Sequence, residues 1–137
     1  MFEAEAVRVI TEHADEEADA PLFLFWAPHS VHSPLQVPAD YLHAFDGIGP
    51  TDNRNHARQI YHAMVRFLDD AVGNVTTALQ TTSLWDNTLI VMCSDNGGPI
   101  YQNGTSGANN FPHRGGKMSN WCEISRIHAD CARSTHI

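Results

Sequence analysis

Positive charge is scarce in this sequence. Lysine and arginine together number 8 against 16 aspartates and glutamates, for a formal charge of −8. A nucleic-acid binder carries a basic footprint, so that class is excluded. Cysteine is nearly absent too. Three cysteines, an odd number, give neither a disulfide framework nor a CxxC zinc pattern. No apolar run approaches the roughly 20 residues needed to span a bilayer. The opening "MFEAEAVRVI" is acidic where a signal peptide would be basic and then apolar, so it does not read as one. At 137 residues the chain amounts to one domain or a piece of one. Its hydrophobic fraction of 42% is that of an ordinary globular sequence.

What is present falls into blocks. Phe2, Ala6, Val9 and Ile10 recur at helical spacing and predict a short amphipathic helix over residues 2–13. The acidic "HADEEADA", residues 13–20, reads as a solvated loop. "PLFLFWA", residues 21–27, is short and apolar throughout and predicts a buried strand. From Pro28 to about Pro50 the proline content predicts a loop without regular elements. Ile60, Met64, Leu68, Val72, Val75 and Leu79 then repeat every three or four residues. They predict a long helix over about 53–82, capped by Asp52 or Asn53. "LWDN" turns the chain into a second strand, Thr88 to Cys93, with Cys93 expected as a small core residue.

Two continuous apolar strands separated by a long helix suggest a parallel βαβ crossover. Ligands of open parallel sheets bind beyond the carboxyl ends of the strands. Asp95 and Asn96 leave the second strand at that end, and His29 and His32 leave the first. If the strands are neighbours, these residues converge. Asp plus Asn offers hard oxygen donors suited to Ca²⁺ or Mg²⁺ rather than zinc. Histidine can act as acid, base or donor to an oxyanion. Lys117 is a candidate anion contact that composition alone does not place. "DNGG" standing alone is a turn signal, and the acidic cluster reads as a solvated face.

Four ordered segments carry a resemblance: "PLFLFWAPHSVHSPLQVPADY", "YHAMVRFLDDAVGNVTTAL", "LWDNTLIVMCSDNGGPI" and "GANNFPHRGGK". Together they resemble a continuous portion of the sulfatases, in particular the arylsulfatase B-like group, over about residues 5–117. The resemblance implies an α/β fragment of the alkaline-phosphatase-like fold, a parallel βαβ unit with flanking helices. It implies Ca²⁺-dependent hydrolysis of sulfate esters, with a sulfated small molecule or glycosaminoglycan-type sugar as substrate. Asp95 and Asn96 match the family's Ca²⁺-ligating pair. His32, in "VHSP", matches the histidine that contacts the sulfate ester. Lys117, in "RGGK", matches the lysine that binds a sulfate oxygen. His29 matches no such role. Similar sulfatases are lysosomal or extracellular, and the location of this chain stays open.

The sequence also departs from the family. Sulfatases carry a C-x-P-x-R motif whose cysteine becomes a formylglycine nucleophile, and this chain has none. "CEISR", Cys122 to Arg126, has Ile124 where the proline should stand. Two further metal aspartates of the family are missing as well. Residues 1–117 therefore read as a partial catalytic domain, and 118–137 as a divergent, disordered tail. Two alternatives stand beside the sulfatase reading: a non-catalytic remnant or binding fragment with a partial cation and anion site, and, less strongly, a metal phosphohydrolase of the same superfold. Asn74 and Asn103 each begin a glycosylation sequon.

Overall fold

A computed structural model describes residues 2–16, 19–48, 52–99, 103, 105–119 and the backbone of 130–133. The first helix, α1 (Phe2–Glu16), buries Ala6 and Ile10. It runs further than its apolar stripe predicts and takes in the start of the acidic stretch. Arg8 on its wet face pairs with Glu5 and Glu12, one helical turn to either side. The proline-rich segment is not wholly irregular. A short helix, α2 (Ala39–His43), starts directly after Pro38, and one turn of 3₁₀ helix follows at Asp46–Ile48. Proline has a fixed φ and no N–H to lose at a helix start, which makes it compatible with that position.

The long helix α3 (Asn53–Thr81) forms where the periodicity places it. Asp52 caps it: its carboxylate accepts the backbone N–H of Arg54 and of Asn55, each at 2.8 Å. Of the predicted stripe, Met64 and Leu79 are buried and Ile60, Leu68, Val72 and Val75 are half-buried. The helix also buries the alanines 57, 63, 71 and 78 and the amide side chain of Gln59. Gln59 donates to the Asp46 carboxylate at 3.0 Å, so its burial leaves the amide N–H satisfied. In mid-helix the Gly73 carbonyl accepts the hydroxyls of Thr76 and Thr77 at 2.9 and 2.8 Å. A side chain at Gly73 would meet open space.

The core lies where α1 crosses the end of α3. Ile10, Ala78 and Leu79 form it, with Val7, Val75, Leu84, Trp85 and Ile90 packed around them. Ile10 retains only 1% of its exposure.

The strands differ from expectation. The second predicted strand exists as β1 (Leu89–Met92). It pairs antiparallel with β2 (Asp130–Arg133), with Leu89 opposite Arg133 and Met92 opposite Asp130. Residues 21–27 form no strand, so the parallel βαβ unit is not present among the described residues. Phe23 is 90% and Phe25 81% exposed, and Leu89, Val91 and Met92 are exposed too. Cys93 is exposed rather than in the core. The physical reason is common to all of them. An apolar strand is buried by neighbours on its edges and layers on its faces. Here, among the described residues, β1 has one short partner. The indole N–H of Trp26, within the same apolar run, is buried with no hydrogen-bond partner among the described residues. β2 places four residues of the tail expected to be disordered in a strand. The rest of that tail beyond Ser119, "CEISR" included, lies outside the described residues.

Candidate anion and metal half-site

The chain leaves β1 into the turn Asp95–Asn96–Gly97–Gly98. Asp95 is exposed and Asn96 half-buried. The Asn96 side-chain amide donates to the Asp95 carboxylate, so the two side chains already converge. The Ser94 hydroxyl closes the turn by donating to the Asn96 carbonyl at 2.8 Å. A carboxylate and an amide oxygen are the donors a hard cation prefers, but Ca²⁺ takes six to eight oxygens. No group of three or more His, Cys, Asp or Glu able to hold a metal ion occurs among the described residues. The pair therefore fits Ca²⁺ in kind and supplies only part of a coordination shell.

Lys117 reaches this turn through the backbone. Its N–H points to the carbonyls of Gly97 at 3.1 Å and Gly98 at 3.2 Å, and it bridges in parallel to Pro99. Its side chain reaches His32, with Nζ 3.3 Å from the imidazole Nε2. The other ring nitrogen, Nδ1, lies 2.8 Å from the Ser33 carbonyl oxygen. A carbonyl only accepts, so Nδ1 carries the proton and Nε2 presents its lone pair to the ammonium. His32 and Lys117, 85 residues apart in sequence, thus meet directly. The expected meeting of His29 and His32 with Asp95 and Asn96 is not among these contacts; what the loops bring together is His32 and Lys117. His29 turns away from this contact, its ring against Phe2 at 4.8 Å between centroids.

Asn110, which the sequence reading did not single out, ties the two loops together. Its Oδ1 accepts the Gly98 N–H at 2.9 Å, and its Nδ2 donates to the carbonyls of Gly98 at 2.8 Å and Gly115 at 2.9 Å. The approach is close: a Cβ on Gly98 would lie 2.2 Å from that of Ala108. Gly115 has φ 83°, a conformation glycine adopts without strain. The same loop docks on α3. Arg58 donates to the Gly107 carbonyl at 2.8 Å, and Gly107 sits so near the helix that a Cβ would fall 2.3 Å from the Ala57 carbonyl oxygen. Nothing in "GANNF" announces these bonds, because asparagine in a glycine-rich stretch signals only a turn.

The Sulfatase family pattern matches residues 3–125. The chain belongs to the sulfatase family. It is 36% identical to mouse arylsulfatase J over 121 residues, 88% of this chain and 18% of that protein. It is 29% identical to mouse N-acetylgalactosamine-6-sulfatase over 120 residues, 87% of this chain and 20% of that one. Among solved structures, Ps i-CgsB in complex with k-i-k-neocarrahexaose superposes with a TM-score of 0.76 at 34% identity, over 90% of this chain and 25% of that chain. This likeness gives the sulfatase fragment its alkaline-phosphatase-like fold. The chain spans about a fifth of the curated relatives it matches.

The remaining sequence features fall outside the half-site. Asn74 lies exposed on α3 and donates its side-chain amide to Glu3. Asn103 is exposed with φ 47°. No helix among the described residues is long and apolar enough to cross a membrane.

Proposed function

We propose that this sulfatase segment supplies the sulfate-binding groups and half of the Ca²⁺ shell of a sulfate ester hydrolase acting on a sulfated sugar. The observation that carries this reading is the contact of Lys117 with His32, made by a lysine whose backbone is bonded to the Asp95–Asn96 turn. An ammonium beside an imidazole, with both facing solvent in part, forms a receptor for a tetrahedral anion that takes up the ammonium's remaining N–H groups next to the ring. Lys117 neutralises charge on the non-bridging sulfate oxygens. The fixed Nδ1–H of His32 aims Nε2 at the ester. In its protonated form Nε2 donates to the departing oxygen as the sulfur–oxygen bond breaks under attack on sulfur by a nucleophile that this segment does not supply, which spares the leaving group a full negative charge. Asp95 and Asn96 would hold Ca²⁺, which supplies Lewis-acid polarisation of the sulfate when bound. The bound sugar in the Ps i-CgsB structure is consistent with a saccharide substrate.

The test is a chimera in which residues 3–125 replace the matching segment of mouse arylsulfatase J. The chimera should hydrolyse p-nitrophenyl sulfate in the presence of Ca²⁺. His32→Ala and Lys117→Ala should each lower kcat/KM by about 10²- to 10⁴-fold. A folded chimera whose turnover is indifferent to both substitutions would overturn the assignment.

A second reading rests on a different observation. The sequence has no C-x-P-x-R nucleophile motif, and no complete metal cluster occurs among the described residues. The 137-residue chain by itself is then a binding fragment that retains the anion contact without turnover. It should show no p-nitrophenyl sulfate hydrolysis above background, while still binding inorganic sulfate at Lys117.

A further inference from the structure

We infer that Asn110 is the positioning residue of the half-site. It locks the loop that carries Lys117 to the loop that carries Asp95 and Asn96, and thereby sets the anion affinity of Lys117. The inference rests on the proposed role of Lys117 as the sulfate contact.

The hydrogen bonds are specific to an amide side chain. Asn110 uses its acceptor and its donor nitrogen at once: Oδ1 and Nδ2 together grip both polar groups of Gly98, and Nδ2 also holds the Gly115 carbonyl. Gly98 stands two residues after Asn96, and Gly115 two residues before Lys117. One side chain therefore spans both halves of the site, with its three bonds all made to backbone groups. The direct contacts between the loops are weaker. The single Lys117 N–H is shared between two carbonyls at 3.1 and 3.2 Å. A shared donor tolerates sliding from one acceptor to the other. Three bonds from one planar amide do not. Aspartate has the same shape as asparagine but no N–H, so in its place a carboxylate would face two carbonyl oxygens. Asn110→Asp thus removes the grip while preserving the volume, which separates positioning from packing.

Lys117 is the only lysine in the sequence, so its ε-amine can be followed on the unmodified chain. The experiment measures acetylation of Lys117 by mass spectrometry at low micromolar protein, against increasing inorganic sulfate. Protection yields the sulfate Kd at that amine. Hydrogen exchange is measured alongside on peptides covering 94–99 and 113–119. In the wild-type chain both peptides should exchange slowly. In Asn110→Asp both should accelerate together, and the sulfate Kd should rise about 10- to 100-fold, as for other partners that orient a ligating group from behind. The thermal transition of α1 and α3 should stay in place, which a general loss of structure would not allow. An Asn110→Asp chain with wild-type sulfate affinity would overturn the inference, and so would acceleration of one peptide without the other. If sulfate fails to protect the wild-type amine, the anion-site reading falls. The positioning role is then decided by whether the two peptides lose protection together. If Asn110→Asp does not fold, the wild-type exchange decides: fast exchange of both peptides would refute the lock.

Discussion

The helices α1 and α3, the segment 21–27 and β1 are all rich in hydrophobic side chains, yet the fully buried core comes from the helices, with Ile90 of β1 only partly covered. Ile10 and Leu79 are buried, whereas Phe23, Phe25, Val91 and Met92 face solvent. The difference lies in how many partners each element requires. An amphipathic helix has one apolar stripe, and a single second helix covers it. A strand that is apolar on both faces needs two layers and two edges. The chain supplies the first arrangement and, among the described residues, only a fraction of the second. Hydrophobicity read along a sequence reports a demand for burial; whether the demand is met depends on surface from elsewhere.

The sharpest way to break the comparison is to hollow out the helical core. Ile10→Ala should cost about 2–5 kcal/mol, since a buried isoleucine loses its transfer free energy and leaves a cavity. Urea unfolding followed by helix circular dichroism measures it. A loss below about 1 kcal/mol would mean that the helical region is as loosely packed as the strands.

Next in size is the joint between the two regions. Gly107 has φ 73° and lies against α3. Gly107→Ala should cost about 1–3 kcal/mol of docking through strain and overlap. The loop over 105–119 should then exchange its amides faster while α1 keeps its protection.

The exposed aromatics should behave in the opposite sense from Ile10. Phe23→Ser with Phe25→Ser should change the unfolding free energy by less than about 0.5 kcal/mol per site. It should, however, reduce self-association, because contiguous exposed apolar surface drives it. Sedimentation velocity of the wild-type and doubly substituted chains distinguishes the cases. Equal association would show that this surface is not the sticky one.

The smallest effect expected is on pH. Burial, and secondarily the charge of Arg58, hold His62 below its ordinary pKa of 6.5. The unfolded chain therefore takes up the proton first, and stability falls as pH drops below about 6.5, levelling off once the folded form is protonated as well. His62→Gln should flatten this part of the thermal midpoint against pH between pH 7 and 5.5. A slope that survives the substitution assigns it to another group.

Legibility followed the same division. Helical periodicity located α1 and α3 well because each needs only a local stripe and one partner. Asp52 was legible as a cap because capping acts over three residues. The strand at 21–27 was not, since an apolar run cannot report whether neighbours exist to pair with it. Cys93 was misjudged for the same reason. At the candidate site, the turn at Asp95 and Asn96 was readable from the abrupt end of an apolar run, whereas the roles proposed for His32 and Lys117 came from family resemblance. The contact between those two arises from loop packing, which leaves no periodic trace. Asn110 acts on glycines 12 and 5 residues away through backbone groups common to every residue, so its partners were invisible in the sequence.

The crowded carbonyl of Gly73 has a mechanical consequence for α3. Two threonine hydroxyls compete there with the main-chain ladder, and back-bonding of this kind loosens and bends helices. Glycine lowers the local stiffness further, and no neighbouring atom lies within 4 Å of where a Cβ would stand to resist flexing. The turn at Gly73 is therefore the most easily bent part of this continuous helix. The part before Gly73 carries Ala57, Arg58 and Tyr61, on which the Lys117 loop is seated; the part after it carries Ala78 and Leu79, on which α1 is seated. Flexing at Gly73 would therefore shift the seat of the Lys117 loop relative to the seat of α1, which ties the orientation of the half-site to the local stiffness of one helical turn.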